Sequence, residues 1–299
     1  LKSLIEQSYQ PAEIVVLDNG STDGSAEAIE SEFPQATLIR MPKNYGDWQG
    51  RDIAAANALG DYLFFVDNDG FLGPDSTANM MAKMLADERI AVAQAKVLDP
   101  NTGRPEGTAG SSDLAELDHY KATFLGGAAI IRGDVFRKVG GFPHYLLGGG
   151  EPFVSYRVLD LGLRILHCSD AVLFHAQSKL ERVPAQRLFL SSKQRLRATM
   201  SHYPGLVRPL VELTWKLMNY GWVAARNGYL LRIPKDLLEM SIAGVKEWRG
   251  DWIIKPSTVH LIDHLRGHVI HTREDYDVLA DSRLRGKWLD YVQRRWFLR

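Results

Sequence analysis

Residues 62–70 read Tyr-Leu-Phe-Phe-Val-Asp-Asn-Asp-Gly. The apolar run is too short for an ordinary helix and describes a strand buried on both faces. It runs directly into a turn of Asp, Asn and Gly, the residue types that turn geometry favours. Upstream the pattern recurs, because Glu13–Leu17 (EIVVL) is another short apolar run that ends in Asp-Asn-Gly. Between the two, Ser21–Glu32 reads as a helix, with Ser21 or Thr22 as N-cap and Asp23 in its first turn. Ala36–Arg40 follows as a strand, and Asp47–Leu59 as an alanine-rich helix closed by Gly60. Leu1–Gln7 reads as the end of a helix. Downstream lie a helix at Ser76–Ala86 and a strand at Ile90–Val97. Short apolar strands alternating with helices predict an α/β fold, with a mostly parallel sheet covered by helices. In such sheets ligands bind at the carboxyl ends of strands, where Asp18-Asn19 and Asp67-Asn68-Asp69 both fall.

Beyond residue 98 the signal changes. Asp99–Leu117 is polar and reads as a loop. Thr123–Arg132 reads as a strand with a glycine pair near its start, and Asp134–Val139 as a short helix ended by Gly140-Gly141. Phe142–Gly150 is a glycine-rich loop. Glu151–Leu161 is helix-like and closed by Gly162, and Leu163–His167 and Ala171–His175 are short strands. After Gln177 two helices are expected, Arg182–His202 and Arg208–Arg226.

The 299 residues carry 36 Lys+Arg and 36 Asp+Glu, an ordinary globular composition with no net charge. This argues against a general nucleic-acid binder, which would be basic overall. The single cysteine, Cys168, excludes a disulfide within the chain and a multi-cysteine zinc site. No apolar run approaches the roughly 18 residues needed to span a bilayer. The charge is unevenly placed: residues 1–175 hold 14 basic and 24 acidic residues, whereas residues 176–250 hold 13 and 5. An acidic body with a basic appendage fits either a solvated helical surface or one that approaches anionic lipid head groups.

Asp67 and Asp69, one residue apart at the end of an apolar strand, can share a hard divalent cation. Such a cation would neutralise a departing diphosphate. Asp-x-Asp also occurs in turns without any ligand. Asp18 is placed to point into the crevice and accept a hydrogen bond from a nucleobase. Asp23 is accounted for by the turn and cap alone.

Four segments in order resemble the family-2 glycosyltransferases of the GT-A (Rossmann-like) fold. They are Ser3–Ile29 (SLIEQSYQPAEIVVLDNGSTDGSAEAI), Lys43–Gly70 (KNYGDWQGRDIAAANALGDYLFFVDNDG), Phe124–Phe142 (FLGGAAIIRGDVFRKVGGF) and Gly148–His175 (GGGEPFVSYRVLDLGLRILHCSDAVLFH). The resemblance implies a GT-A catalytic domain over 1–177, followed by a mainly helical extension over 178–299. It implies a nucleotide-sugar donor, Mn²⁺ or Mg²⁺ as cofactor, a glycan or lipid-linked acceptor and no nucleic acid. Residue by residue, it gives Asp18 to the nucleobase and Arg51 to the donor nucleotide, with Asp52 standing where the family usually has Asn. Asp67 and Asp69 match the DxD motif, Asp67 near ribose and metal and Asp69 on the metal. Gly126-Gly127 match a glycine pair beside donor sugar and acceptor, where small residues let the backbone approach a ligand closely.

Inverting transfer needs a carboxylate to deprotonate the acceptor hydroxyl. The family often has a Glu-Asp pair ahead of an Arg, with Gly five residues beyond that Arg. Arg157 and Gly162 keep that spacing, which puts Glu151 at the base position. Gly150 stands at the first position of the pair and Phe153 at a later acidic one. Glu151 also suits the first turn of a helix on dipole grounds alone. His175 ends the run AVLFH; in the family a His there completes the metal site or touches the diphosphate, and a lone His also packs as a structural residue. His167 and Cys168 read as structural.

The family's fold opens with a strand and turn that help hold the nucleobase, whereas this sequence starts inside a helix, so the expectation is a GT-A domain lacking its first strand. In the extension, Arg187, Lys193, Arg195 and Arg197 flank Leu188, Phe189, Leu190 and Leu196. The next helix carries Trp215, Leu217, Met218, Tyr220 and Trp222. These residues suit peripheral contact with a membrane through the basic helical tail, hence a cytoplasmic protein at the inner face. Equally, the aromatics pack on the catalytic domain and the basic residues are solvated.

Two other readings stay open. A nucleotidyltransferase on a similar sheet would carry a glycine-rich loop with Arg and Lys and a downstream Lys signature, and the latter is absent. A non-catalytic sugar-nucleotide-binding protein is suggested by Gly150, Pro152 and Phe153.

Overall fold

The computed structural model describes residues 1–105, 115–144, 148–176, 184–205, 207–247 and 252–281. Parts of the loops expected at 99–117 and 142–150 (106–114 and 145–147), and the first residues of the helix expected from Arg182, lie outside them. In chain order the elements are α1 (Lys2–Ile5), β1 (Val15–Asp18), α2 (Ser25–Glu32), β2 (Thr37–Arg40), α3 (Asp47–Asn57), β3 (Tyr62–Val66), β4 (Gly70–Leu72), α4 (Ser76–Ala86), β5 (Ile90–Leu98) and β6 (His119–Tyr120). There follow β7 (Ala128–Arg132), α5 (Gly133–Lys138), α6 (Glu151–Asp160), β8 (Arg164–His175), α7 (Pro184–His202), α8 (Val207–Arg226), a 3-10 turn (Leu230–Arg232), α9 (Ile233–Glu247), α10 (Pro256–Gly267) and α11 (Arg273–Ala280).

β1 and β2 pair in parallel as a sheet of their own. The second sheet runs β3-β7-β5-β8-β4, with β6 paired to β8. It is mixed, where the sequence pattern predicts mostly parallel strands. β5 and β8 are parallel, whereas β7 is antiparallel to both β3 and β5, and β4 and β6 are antiparallel to β8. The helix-connected strands β3, β5 and β8 therefore do share one direction. β7, entered through a loop, slots between β3 and β5 in the opposite sense, which needs no crossover helix. β5 and β7 are the central, almost wholly buried strands, and this is why Ile90–Ala93 and Ala128–Ile131 read as apolar runs.

Three local expectations shift. The strand expected over Thr123–Arg132 begins only at Ala128, after the glycine pair. α2 starts at Ser25, not Ser21, because Gly24 adopts φ +87° and Asp23 instead accepts the N–H and hydroxyl of Ser25. The two short strands expected at 163–167 and 171–175 are one strand, β8, with an irregularity where Ala95 faces Cys168 and Lys96 faces Val172. Ser169 within it donates to Asp118 at 2.8 Å through both backbone and hydroxyl.

The main core gathers both faces of the larger sheet, and Leu261, Ile262, Leu265, Tyr276 and Leu279 of α10 and α11 join it. Arg164, fully buried on β8, ties α11 in place by donating to Asp277 and Asp87 beneath the rings of Tyr120 and Tyr276. Helices α7, α8 and α9 hold a second core of their own around Phe189, Leu196, Met200, Tyr220 and Met240. Trp215 and Trp222 are not part of it: both are exposed, so of that aromatic set Tyr220 alone is fully buried.

Candidate active site

Strand register assembles the site. β7 runs antiparallel to β3 with Ala128 opposite Val66, so Gly127 and Asp67 meet just beyond the paired residues. A Cβ on Gly127 would lie 2.6 Å from Asp67 Oδ1 and closer still to Oδ2. Any side chain here would have to displace the Asp67 carboxyl. β4 pairs with β8 with Gly70 opposite His175, which brings Asp69 Oδ1 to 3.2 Å from His175 Nε2. The backbone closes the same corner, with Ala176 N–H donating to Asp69 O at 2.8 Å.

At the end of β1, the half-turn Asp18-Asn19-Gly20 meets the loop that enters α3. Asp18, buried, accepts the Ser21 N–H at 3.0 Å. Asn19 accepts the Tyr45 N–H at 2.8 Å and donates to Gly46 O at 3.2 Å. Gly20, at φ +81°, lets the Lys43 backbone pass, since a Cβ would come within 2.8 Å of it. Arg51 then projects from the second turn of α3. Its guanidinium donates to Asp67 and to Asp47 O, and lies 4.8 Å over the ring of Trp48.

Trp48 is the centre of the second half of the site. It is 3% exposed and packs tilted against Phe142, with ring centroids 4.8 Å apart. Its six-membered ring lies under Gly126, where a Cβ would approach to 2.8 Å, and its indole fills the space beside Gly150, where a Cβ would lie 2.6 Å from Cε2. The lack of a carboxylate at position 150 thus has a steric reason: the indole occupies that space. Glu151, the first residue of α6, packs against Gly126, its Cγ 3.5 Å from where a Cβ would stand. Glu151 keeps partial contact with solvent, yet its carboxyl lies among protein atoms. Burial raises its pKa, opposed by its own and the Gly126 backbone N–H groups and by the charges of Arg51 and Arg195.

The structure therefore brings predicted residues together in three groups: Arg51–Asp67–Gly127, Gly126–Glu151 beside the unpredicted Trp48, and Asp69–His175. It does not bring Asp67, Asp69 and His175 into one ligand cluster. Among the described residues no set of three His, Cys, Asp or Glu side chains is close enough to hold a metal ion. Asp67 instead faces Arg51. The Asp69–His175 pair offers one carboxylate oxygen and one imidazole nitrogen, a donor set that fits Mn²⁺ and leaves positions for water and phosphate oxygens.

Four residues have roles here that the sequence reading did not assign. Trp48 and Asn19 act through contacts with segments distant in sequence, and no local pattern marks them. Asp52, half-buried on α3, accepts the Phe142 N–H at 2.9 Å and meets His144 Nε2 at 3.2 Å, so it pins the loop ahead of Glu151. Lys121, its pKa lowered by burial to about 8, donates to Gln94 Oε1 at 3.0 Å. That oxygen also accepts the Leu125 N–H at 3.0 Å, which steadies the turn into Gly126-Gly127.

Comparison with known proteins bears on the family resemblance and the fold. Residues 1–140 match the family model described as glycosyl transferase family 2, and the resemblance seen in the sequence is to that family. The O-antigen chain rhamnosyltransferase WbaN of Salmonella anatum is 23% identical over 200 residues, which cover 62% of this chain and 62% of the relative. The match thus spans less than two thirds of that relative's length. The succinoglycan biosynthesis protein ExoA of Rhizobium meliloti is 24% identical over 279 residues, 83% of this chain and 81% of the relative. Among solved structures, the mannosyltransferase PcManGT of Pyrobaculum calidifontis, in complex with GDP-Man and Mn²⁺, superposes with a TM-score of 0.54 at 19% identity, over 100% of this chain and 82% of that one. The fold is GT-A.

Proposed function

We propose that this chain is an inverting glycosyltransferase that moves a sugar from a nucleotide-diphosphate-sugar to a hydroxyl of a glycan or lipid-linked acceptor, in the synthesis of a cell-surface polysaccharide or glycolipid. The observation that carries this reading is the Glu151 carboxyl, enclosed against Gly126 beside Trp48 and Arg51. Residues 1–177 form the catalytic unit in this reading, and the O-antigen and succinoglycan relatives support the polysaccharide role. The rhamnosyltransferase relatives suggest a deoxyhexosyl donor.

In this mechanism Glu151 takes the proton of the acceptor hydroxyl as its oxygen attacks the anomeric carbon. One bond forms on the face opposite the departing nucleoside diphosphate, which gives inversion. A carboxylate whose pKa burial raises is a stronger base than a solvated one. Asp18 accepts from the nucleobase, and Arg51, held by Asp67 and Trp48, stands where diphosphate charge must be met. Asp69 and His175 would hold the divalent cation, with Asp67 turned toward Arg51. When bound, the cation supplies Lewis-acid stabilisation of the departing diphosphate.

The test is a titration of the chain with UDP, GDP and dTDP, with and without Mn²⁺, followed by turnover with the donor so identified. Metal-dependent binding of one nucleotide, lost in Asp69→Ala, is expected. Glu151→Gln should retain donor binding and lose transfer by at least a factor of about 100. Unchanged transfer in Glu151→Gln sinks the base assignment, and a folded protein that binds no nucleotide sinks the donor site.

A further inference from the structure

Helix α8 is apolar on two sides. One stripe, with Leu213, Leu217, Tyr220 and Ala224, packs into the second core against α7 and α9. The other, Val211, Trp215, Met218 and Trp222, follows the helical repeat along the outside of the helix. Trp215 is 64% exposed, Met218 65% and Trp222 59%. Next along the chain, the 3-10 turn and α9 add Leu231, Leu238, Ile242 and Val245, again outward at helical spacing. Isolated exposed apolar residues are ordinary, but contiguous stripes of this kind on consecutive elements mark an interaction surface.

Among the described residues, the exposed charges around these stripes are basic. Arg226, one turn beyond Trp222, is exposed and lies 4.6 Å over its ring. Arg232, Lys235 and Lys246 are exposed on the turn and α9. The described acidic groups of the same elements face inward or are engaged: Asp236 is buried and accepts the Tyr220 hydroxyl, and Glu239 is held by Lys193. We propose that the outward faces of α8 and α9 form a docking surface for an anionic lipid bilayer, with Trp215 and Trp222 in the interfacial layer and the basic residues on the head groups. Tryptophan and basic residues around an aliphatic stripe are the composition of helices that lie in that layer. Among the described residues no helix is long and apolar enough to cross a membrane, so the surface would lie on the bilayer. A second copy meeting this face symmetrically would set Arg226, Arg232, Lys235 and Lys246 near their own mates with no exposed described acid to offset them. The proposal is independent of the transferase reading.

The experiment is flotation of the full chain with vesicles of phosphatidylglycerol and phosphatidylethanolamine (3:7), and with pure phosphatidylcholine vesicles, at 50 and 300 mM salt. The chain should float with the anionic vesicles, several-fold less with neutral ones, and less at high salt. Trp215→Ser/Trp222→Ser should weaken binding at least tenfold, and Lys235→Gln/Lys246→Gln several-fold with most of the salt dependence lost. Circular dichroism and nucleotide binding of both variants should match the parent, since the replaced side chains are exposed. Absence of flotation by the folded parent overturns the proposal. So does equal flotation of the tryptophan variant, or a dimer in sedimentation that the tryptophan variant dissolves, which would give this face to a second copy.

Discussion

Gly150→Ala isolates the contact that shapes the site. Gly150 has φ −80° and ψ −25°, an ordinary helical conformation. The backbone therefore accepts alanine without strain, and alone the change would stabilise by about 0.4–1 kcal/mol through the unfolded chain. The added Cβ would lie 2.6 Å from Trp48 Cε2 and 2.8 Å from Cγ. Ordinary carbon contacts begin near about 3.5 Å, so the indole must retreat by close to 1 Å. It has nowhere to go: Phe142 packs against it with ring centroids 4.8 Å apart, Arg51 lies 4.8 Å over it, and Gly126 covers its far edge. Overpacking of this kind costs about 1–3 kcal/mol, leaving a net loss of about 1–2 kcal/mol. Because Trp48 also touches the turn beside Glu151, transfer should fall with stability. The assay is a urea unfolding series on the parent, Gly150→Ala, Trp48→Leu and the double variant. The double variant should be more stable than the sum of the singles predicts, by about 1 kcal/mol or more. A neutral or stabilising Gly150→Ala, or strict additivity, would refute the reasoning.

Two further predictions concern the frame. Arg164→Met should cost about 3 kcal/mol, because it leaves Asp87 and Asp277 facing a buried apolar side chain; a loss under about 1 kcal/mol in the same urea assay would show that Arg89, which also binds Asp277, suffices. Acid should destabilise the fold through its buried histidines. His202, held to about 3 by burial and by Arg157, and His167, held to about 4 by burial, stay neutral when folded, whereas the unfolded chain protonates them below its ordinary value of 6.5. The stability they contribute is full above pH 6.5 and is lost as pH falls toward their folded values, by about 2 kcal/mol each at pH 5. His202→Gln, which can still accept from Arg157, should lessen the loss between pH 7 and pH 5 by about that amount; an unchanged loss would refute it.

The sequence alone determined much of the local structure. β3, β5 and α4 were legible because a buried strand and an amphipathic helix differ in length and period, and the carboxylate turns because Asp, Asn and Gly have local reasons to be there. The order of four motifs carried the family resemblance and the GT-A fold. The start of α2 was misread, since a left-handed Gly24 leaves no mark distinct from any turn glycine. Pairing was decided only in three dimensions. Nothing near residue 128 says that β7 inserts between β3 and β5, yet that register sets Gly127 against Asp67. Nothing near residue 48 says that an indole will fill the place of a carboxylate beside Glu151. The outward turn of Trp215 and Trp222 was equally invisible, because a helix apolar on two sides reads the same whichever stripe finds a partner. Local propensity is written residue by residue, whereas register, cradles and unpartnered faces depend on which distant segments win the competition to be buried together.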